Sequence, residues 1–190
     1  MHGTRLIVAD ADKTLHQQLV DILQRSGYLV VAEPNDARSA LQAALKREPD
    51  VVLLDDNLPG GSLTLAREIN DHRLAPVLIV TSYSDRDMPE IARTAGVYGM
   101  IVKPLQEEGV LPAIETALSF FSRIAAVESE IKNLKKDLEN RKIVERAKGL
   151  LMEAHGMSEK EAFRYLQRRS MDKCVPVTKI AKNIIVALQK

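Results

Sequence analysis

The chain has 190 residues, with 27 Lys and Arg against 26 Asp and Glu, a formal net charge of +1, and 45% apolar residues. That composition excludes disordered and collagen-like chains, and its length fits one large or two small domains. Uncharged apolar runs such as Val51 to Leu54 and Ile184 to Leu188 fall far short of the ~20 residues of a spanning helix, so no membrane segment is expected. Met1 to Ala9 offers no secretion signal, and the expected address is cytoplasmic. Cys174 stands alone, which forbids an internal disulfide, and His2, His16, His72 and His155 lack the paired spacing of a zinc site.

Charge divides the chain. Residues 1–123 hold 12 basic and 17 acidic side chains, net −5, whereas residues 124–190 hold 15 and 9, net +6. Such asymmetry points to an acidic partner, nucleic acid first, at the carboxyl end.

In the first half, short β-rich apolar runs alternate with helical patterns. Leu6 to Ala9, Leu29 to Ala32, Val51 to Leu54, Val77 to Val80 and Met100 to Val102 read as strands. Segments 13–26, 36–47, 62–73 and 86–95 read as helices, with Gly27, Gly96 and Gly99 marking the returns from helix to strand. Near-continuous apolar strands between helices predict an α/β domain, a (βα)5 doubly wound parallel sheet covered on both faces.

Ligands of such sheets bind beyond the carboxyl ends of the strands, at a switch point in strand order. The residues there are Asp10 and Asp12 after the first strand, Asp55 ending the third, Thr81 and Ser82 after the fourth, and Lys103-Pro104 after the fifth. Carboxylates, a hydroxyl and an ammonium group are thereby placed along one edge.

The stretches RLIVADAD, DVVLLDDNLPGG, VLIVTSYS and GMIVKPL resemble the receiver domain of two-component response regulators, over about residues 4–120. The resemblance implies that Asp55 is the phosphoacceptor for a sensor histidine kinase, with Pro59 and Gly60 in the following loop. It implies that Thr81 hydrogen-bonds the acyl phosphate, that Lys103 pairs with it, and that the Lys103-Pro104 bond is cis. It also implies Mg²⁺, a hard cation that takes oxygen ligands, here from Asp10, Asp12, Asp55 and the carbonyl of Asn57. Two positions depart from the family pattern. Ala11 replaces the second of two adjacent acidic residues, which implies a weakened Mg²⁺ site that Asp12 substitutes only if the loop shifts. Met100 replaces the usual aromatic switch residue, and regulation by a protein bound to a degenerate receiver is the alternative to phosphorylation. By the two-residue alternation of strands, Asp56 is expected to point to the opposite side from Asp55.

From Ala113 through Lys148 a helical pattern runs without Gly or Pro. Ala117, Phe120, Ile124, Val127, Ile131, Leu134 and Leu138 occupy successive a and d positions, a seam of three heptads that ends when Arg141 arrives at d. In a parallel pair of chains the g-to-e neighbours would be Arg123 with Glu128, Glu130 with Lys135, and Asp137 with Lys142, all of opposite sign. The expected state is therefore a parallel homodimer.

Residues 141–190 carry 12 basic and 5 acidic side chains, net +7, yet keep helical periodicity. Val144, Ala147, Leu150, Leu151 and Ala154 close the long helix before Gly156. Ser158 and Glu161 form a capping-box pattern, Ala162, Phe163 and Leu166 follow on one face, and a last helix opening at Pro176 or Thr178 presents Val177, Ile180, Ala181, Ile184, Ile185 and Leu188. Three short helices can enclose a small core.

The span of about 141–188, with its AKGLLM, HGMSEKEAF and VTKIAKNII segments, closely resembles the ANTAR module of transcription antitermination regulators. The resemblance implies a non-enzymatic regulator whose dimer binds paired hairpin loops in nascent mRNA and prevents a terminator from forming. Reading such loops needs cations for phosphates and a ring to stack on splayed bases. The candidates are Arg141, Lys142, Arg146, Lys148, Arg164, Arg168, Arg169 and Lys173, with Tyr165 stacking and Phe163 assigned to the core. The expected organisation is a receiver over 1–120, a coiled coil over 121–142 and the ANTAR domain over 143–190. The competing reading is a DNA-binding response regulator using the basic helices as a helix-turn-helix.

Overall fold

The computed structural model describes residues 3–82, 90, 93 and 95–188. The chain divides into two compact units, Met1–Ala125 and Ala126–Lys190.

The first unit is built on five strands, β1 (Arg5–Ala9), β2 (Leu29–Ala32), β3 (Val51–Asp55), β4 (Val77–Thr81) and β5 (Gly99–Val102). They form one parallel sheet in the order β2-β1-β3-β4-β5, with the switch point between β1 and β3. Successive side chains of a strand face opposite layers, and two cores result. Leu6, Val8, Val51, Leu53, Leu78, Val80 and Ile101 pack on one side with Leu19, Ile22 and Leu23 of α1 (Lys13–Arg25). Ile7, Ala9, Val52, Leu54, Val77 and Ile79 pack on the other with Ala40 and Ala44 of α2 (Ala37–Arg47) and Leu65, Ala66 and Ile69 of α3 (Ser62–Asp71). Both faces are covered, as the unbroken apolar runs of β3 and β4 require. Most of the helix expected over 86–95 lies outside the described residues.

The loops at the carboxyl edge are fixed locally. Asp12 caps α1, its Oδ1 accepting from the amides of Thr14 at 2.9 Å and Leu15 at 3.3 Å. Asp36 caps α2 by accepting from the Ser39 amide at 2.9 Å. Gly60, at φ +91°, lies so close to the start of α2 that a Cβ there would stand 2.9 Å from the Ala37 Cβ. Gly99 opens β5 rather than ending a helix, and a Cβ on it would meet the Leu78 side chain at 2.8 Å.

The long helix α4 (Glu107–His155) begins before the stretch read from sequence and contains Pro112. Its Val110, Ile114 and Ala117 are fully buried in the first core. One 18-residue window of α4 is long and apolar enough by composition to cross a membrane. The sequence runs give no such segment, and 17% of that window is buried inside the structure.

In the second unit the end of α4 packs with α5 (Glu159–Lys173) and α6 (Val177–Leu188). Ala147, Leu151, Ala162, Leu166, Ile180 and Ala181 form the buried centre, flanked by Ile143, Val144, Tyr165, Val177, Ile184, Ile185 and Leu188. The capping box is complete: the Ser158 amide donates to Glu161 Oε2 at 2.8 Å, and the Glu161 amide donates to Ser158 Oγ at 3.4 Å.

Candidate functional site

Four of the predicted residues converge at the carboxyl edge of the sheet. Asp10 and Asp55 are 7% and 6% exposed, which is unusual for carboxylates without a role or a partner, and Thr81 is fully buried. Asp55 ends β3 and its two oxygens are separately held. Oδ1 accepts from the Asn57 amide at 2.9 Å, and Oδ2 takes a charge-assisted hydrogen bond from the Lys103 ammonium. Lys103 is itself positioned by its amide, which donates to the Thr81 carbonyl at 2.8 Å. The Lys103-Pro104 peptide is cis, and the Pro59 carbonyl accepts from the Ala37 amide at 2.8 Å, tying the loop after Asp55 to α2.

Thr81 does not donate to Asp55. Its hydroxyl donates to Asp56 Oδ2 at 2.6 Å. The sheet register explains why. Asp55 is the cross-strand partner of Val80, so the next residues along the two strands, Asp56 and Thr81, fall on a common side. Alternation turns Asp56 away from Asp55, as expected, and carries Thr81 with it. Ser82 is exposed just past the strand.

The metal-binding expectation needs one correction. Asp12 is taken up in capping α1 and donates its own amide to Asp10 Oδ1 at 2.8 Å, so the loop does not shift to put Asp12 in place of the missing acid at Ala11. Among the described residues no three or more Asp, Glu, His or Cys side chains group to hold a metal. Two carboxylates remain. Burial pushes the Asp10 carboxyl above its ordinary value, an effect partly offset by the Asp12 amide and reinforced by the negative charge of Asp55. Mg²⁺ is commonly held by only one or two carboxylates and retains several waters, and a cation would relieve the crowding of these two charges. The donor set of Asp10, Asp55 and the Asn57 carbonyl therefore fits a reduced Mg²⁺ site.

The second unit offers a different surface. Arg141, Lys142, Arg146, Arg164, Arg168, Arg169 and Lys173 are all exposed. Lys148 is not: its side chain is 9% exposed and its ammonium bonds Glu145 and Glu159, each at 2.8 Å. These carboxylates, Glu145 first, raise the Lys148 pKa. Lys148 thus clamps the end of α4 to the start of α5 and is withdrawn from the RNA candidates. The assignment of Phe163 to the core also changes. Phe163 is 41% exposed, with the Lys148 ammonium 5.9 Å from its ring centre, whereas Tyr165 leans on the core. The Arg169 guanidinium lies 5.3 Å from the Tyr165 ring centre, a cation–π arrangement. Tyr165, Arg164 and Arg168 also line a recess of about 420 Å³ with His155, Gly156, Met157 and Glu161.

Along α4 the heptad residues Phe120, Ile124, Val127, Ile131, Leu134 and Leu138 are 40–61% exposed. Ala117, expected to begin this seam, is buried in the receiver core, so the bare stripe starts at Phe120. Lys142, paired across chains in the heptad reading, makes an ion pair with Glu139 of its own chain at 3.0 Å.

Comparison with known proteins agrees with this division. Residues 6–115 match the response regulator receiver domain model, and residues 132–185 match the ANTAR domain model. The chain is 38% identical over 185 residues to the transcriptional regulatory protein PdtaR of Mycobacterium tuberculosis, covering 97% of this chain and 90% of that one. It is 29% identical over 117 residues to the chemotaxis protein CheY of Bacillus subtilis, covering 60% of this chain and 98% of CheY. A two-component response regulator of the LuxR family from Aurantimonas superposes with a TM-score of 0.57 at 29% identity, covering 62% of this chain and 86% of that one. With a receiver match over its first unit and an ANTAR match over its second, the chain belongs to the response regulators that join a receiver domain to an ANTAR domain.

Proposed function

We propose that this protein is a cytoplasmic, non-enzymatic transcription antitermination regulator whose parallel homodimer binds paired hairpin loops in nascent mRNA. The observation that carries the reading is the cluster of exposed Arg164, Arg168, Arg169 and Lys173 around Tyr165 on α5. Exposed cations supply the salt-sensitive attraction to phosphates, and a ring backed by a guanidinium is a platform for an unstacked base. Arg141, Lys142 and Arg146 extend the positive surface along α4.

Control is assigned to Asp55. A sensor histidine kinase or small phosphodonor delivers the phosphoryl group, and the Asp55 carboxylate oxygen is the nucleophile. Lys103 neutralises charge at the acceptor, while Asp10, Asp55 and the Asn57 carbonyl would hold Mg²⁺. When bound, the cation would offset the phosphoryl charge. The exposed seam from Phe120 to Leu138 is assigned to a second copy of the chain. Pairing displays two basic surfaces to two loops on one transcript, which raises the effective concentration of the second contact without improving either one.

The test is binding of the full-length protein to transcripts with two hairpins or one, and to duplex DNA, over a range of salt. Two-hairpin RNA should bind most tightly, with a steep loss of affinity as salt rises. Preference for duplex DNA, or equal binding to all three, would overturn the antitermination reading.

A further inference from the structure

The Thr81 hydroxyl has one hydrogen to donate, and it goes to Asp56 Oδ2. Asp56 is anchored to receive it. Its amide donates to the Val80 carbonyl at 2.9 Å, its carbonyl accepts from the Ser62 hydroxyl at 2.7 Å, and its other carboxylate oxygen accepts from Asn57 Nδ2 at 2.9 Å. Asp55 draws its hydrogen bonds from Lys103 and the Asn57 amide instead. Resting on the reading of Asp55 as phosphoacceptor, we propose that Asp56 is a positioning residue that holds Thr81 in the unmodified protein. It must release that hydroxyl before a phosphoryl group on Asp55 can be bound by it.

The reaction creates the competition. An Asp55 oxygen attacks phosphorus, the bond between phosphorus and the donor breaks, and its electron pair leaves with the donor. The single carboxylate charge becomes a phosphoryl group with a charge of about −2. Two anions then compete for one proton, and Thr81 reaches the second by turning about its Cα–Cβ bond into another staggered rotamer. A hydroxyl bound to a carboxylate is held more firmly than one bound to a neutral group, in keeping with the 2.6 Å separation. Asp56 therefore opposes the switched arrangement, and its amide analogue, alike in shape but uncharged, opposes it less.

A purely Coulombic role has the same sign, because the Asp56 charge repels an incoming anion whatever Thr81 does. The two differ in their dependence on Thr81. Full-length wild type, Asp56→Asn, Thr81→Ala and the double variant are titrated with beryllium trifluoride, a phosphoryl analogue, in Mg²⁺, with fluorine NMR reporting the bound form. Wild type is also treated with acetyl phosphate and its mass measured. Asp56→Asn should tighten beryllofluoride binding about tenfold, equivalent to about 1.4 kcal/mol. In the Thr81→Ala background the gain should shrink to within about twofold, the limit of ordinary additivity. Thr81→Ser, which restores a hydroxyl, should restore the gain. Equal gains with and without the hydroxyl, or no gain in either background, would overturn the role of Asp56. Wild type that gains no phosphate on Asp55 would overturn the phosphoacceptor reading itself, whereas labelled wild type with additive substitutions would remove the Asp56 role alone.

Discussion

Replacing Leu134 by Ala tests the assignment of the exposed stripe to a second copy of the chain. Leu134 is 61% exposed, more than any other residue of the seam, and belongs to no core of its own chain. Burying a whole Leu side chain contributes about 1.5–3 kcal/mol. Covering the 61% still open contributes about 0.9–1.8 kcal/mol per copy, or about 2–4 kcal/mol for a symmetric pair. Truncation should then weaken dimerisation roughly 30- to 700-fold, with 1.4 kcal/mol per decade. Sedimentation equilibrium over a dilution series measures this directly. Val186→Ala serves as the comparison, since Val186 is 66% exposed on α6 and outside the seam. Helical circular dichroism of both variants should match wild type at concentrations where each is fully associated. A Leu134→Ala protein that dissociates at the same concentration as wild type and Val186→Ala would refute the seam.

Lys148→Gln should lower the melting temperature of the second unit by breaking the bonds to Glu145 and Glu159, while Arg168→Gln should leave melting unchanged, weaken binding to every RNA alike and reduce the salt slope by about 1. Ser158→Ala should cost about 1 kcal/mol of stability through loss of the α5 cap, read by thermal or urea unfolding. The Ser158 hydroxyl and amide hold the Glu161 carboxyl below its ordinary value of 4.5, so their contribution is complete above that pH and is lost as pH falls through the lower folded value. Acid titration followed by circular dichroism should accordingly be less steep in Ser158→Ala. On the receiver, burial and the Glu115 carboxylate, which accepts from the Tyr28 hydroxyl at 2.5 Å, push the phenol from 10 up to about 12. That bond stabilises the fold below pH 10 and is lost as pH rises through about 12, and Glu115→Gln should move the ultraviolet titration of Tyr28 back toward 10.

The sheet was legible because β3 and β4 are buried on both faces, and only unbroken runs such as VVLL and VLIV satisfy that demand. Asp10, Asp55, Thr81 and Lys103 were legible as neighbours because parallel strands deliver all their carboxyl ends to one edge. Thr81's partner was not, since it depends on the register of β3 against β4, which no single strand contains. The start of α4 was obscured by Pro112, which lacks an amide hydrogen and normally argues against a helix interior. Glu107 and Glu108 offset this at the positive end of the helix. The exposure of Phe163 was open to closer reading. Ala162, Tyr165 and Leu166 stand at i, i+3 and i+4, the spacing of one helix face, and Phe163 falls outside it. Lys148 could not be read as a clamp, because Glu159 meets it only after the chain turns at Gly156.

Val110, Ile114 and Ala117, the residues of α4 that press on the sheet, continue in phase into Phe120 and Ile124. One line of side chains thus changes host along its length, from the chain's own sheet to solvent-facing ground. The helical phase set at Ala117 fixes which side of α4 Phe120 and Ile124 present. Removing a single residue between Ala117 and Phe120 would swing the later line by about 100° around the axis. Such a deletion would keep every apolar residue of the seam yet turn Phe120 and Ile124 out of line with the three that the sheet has fixed.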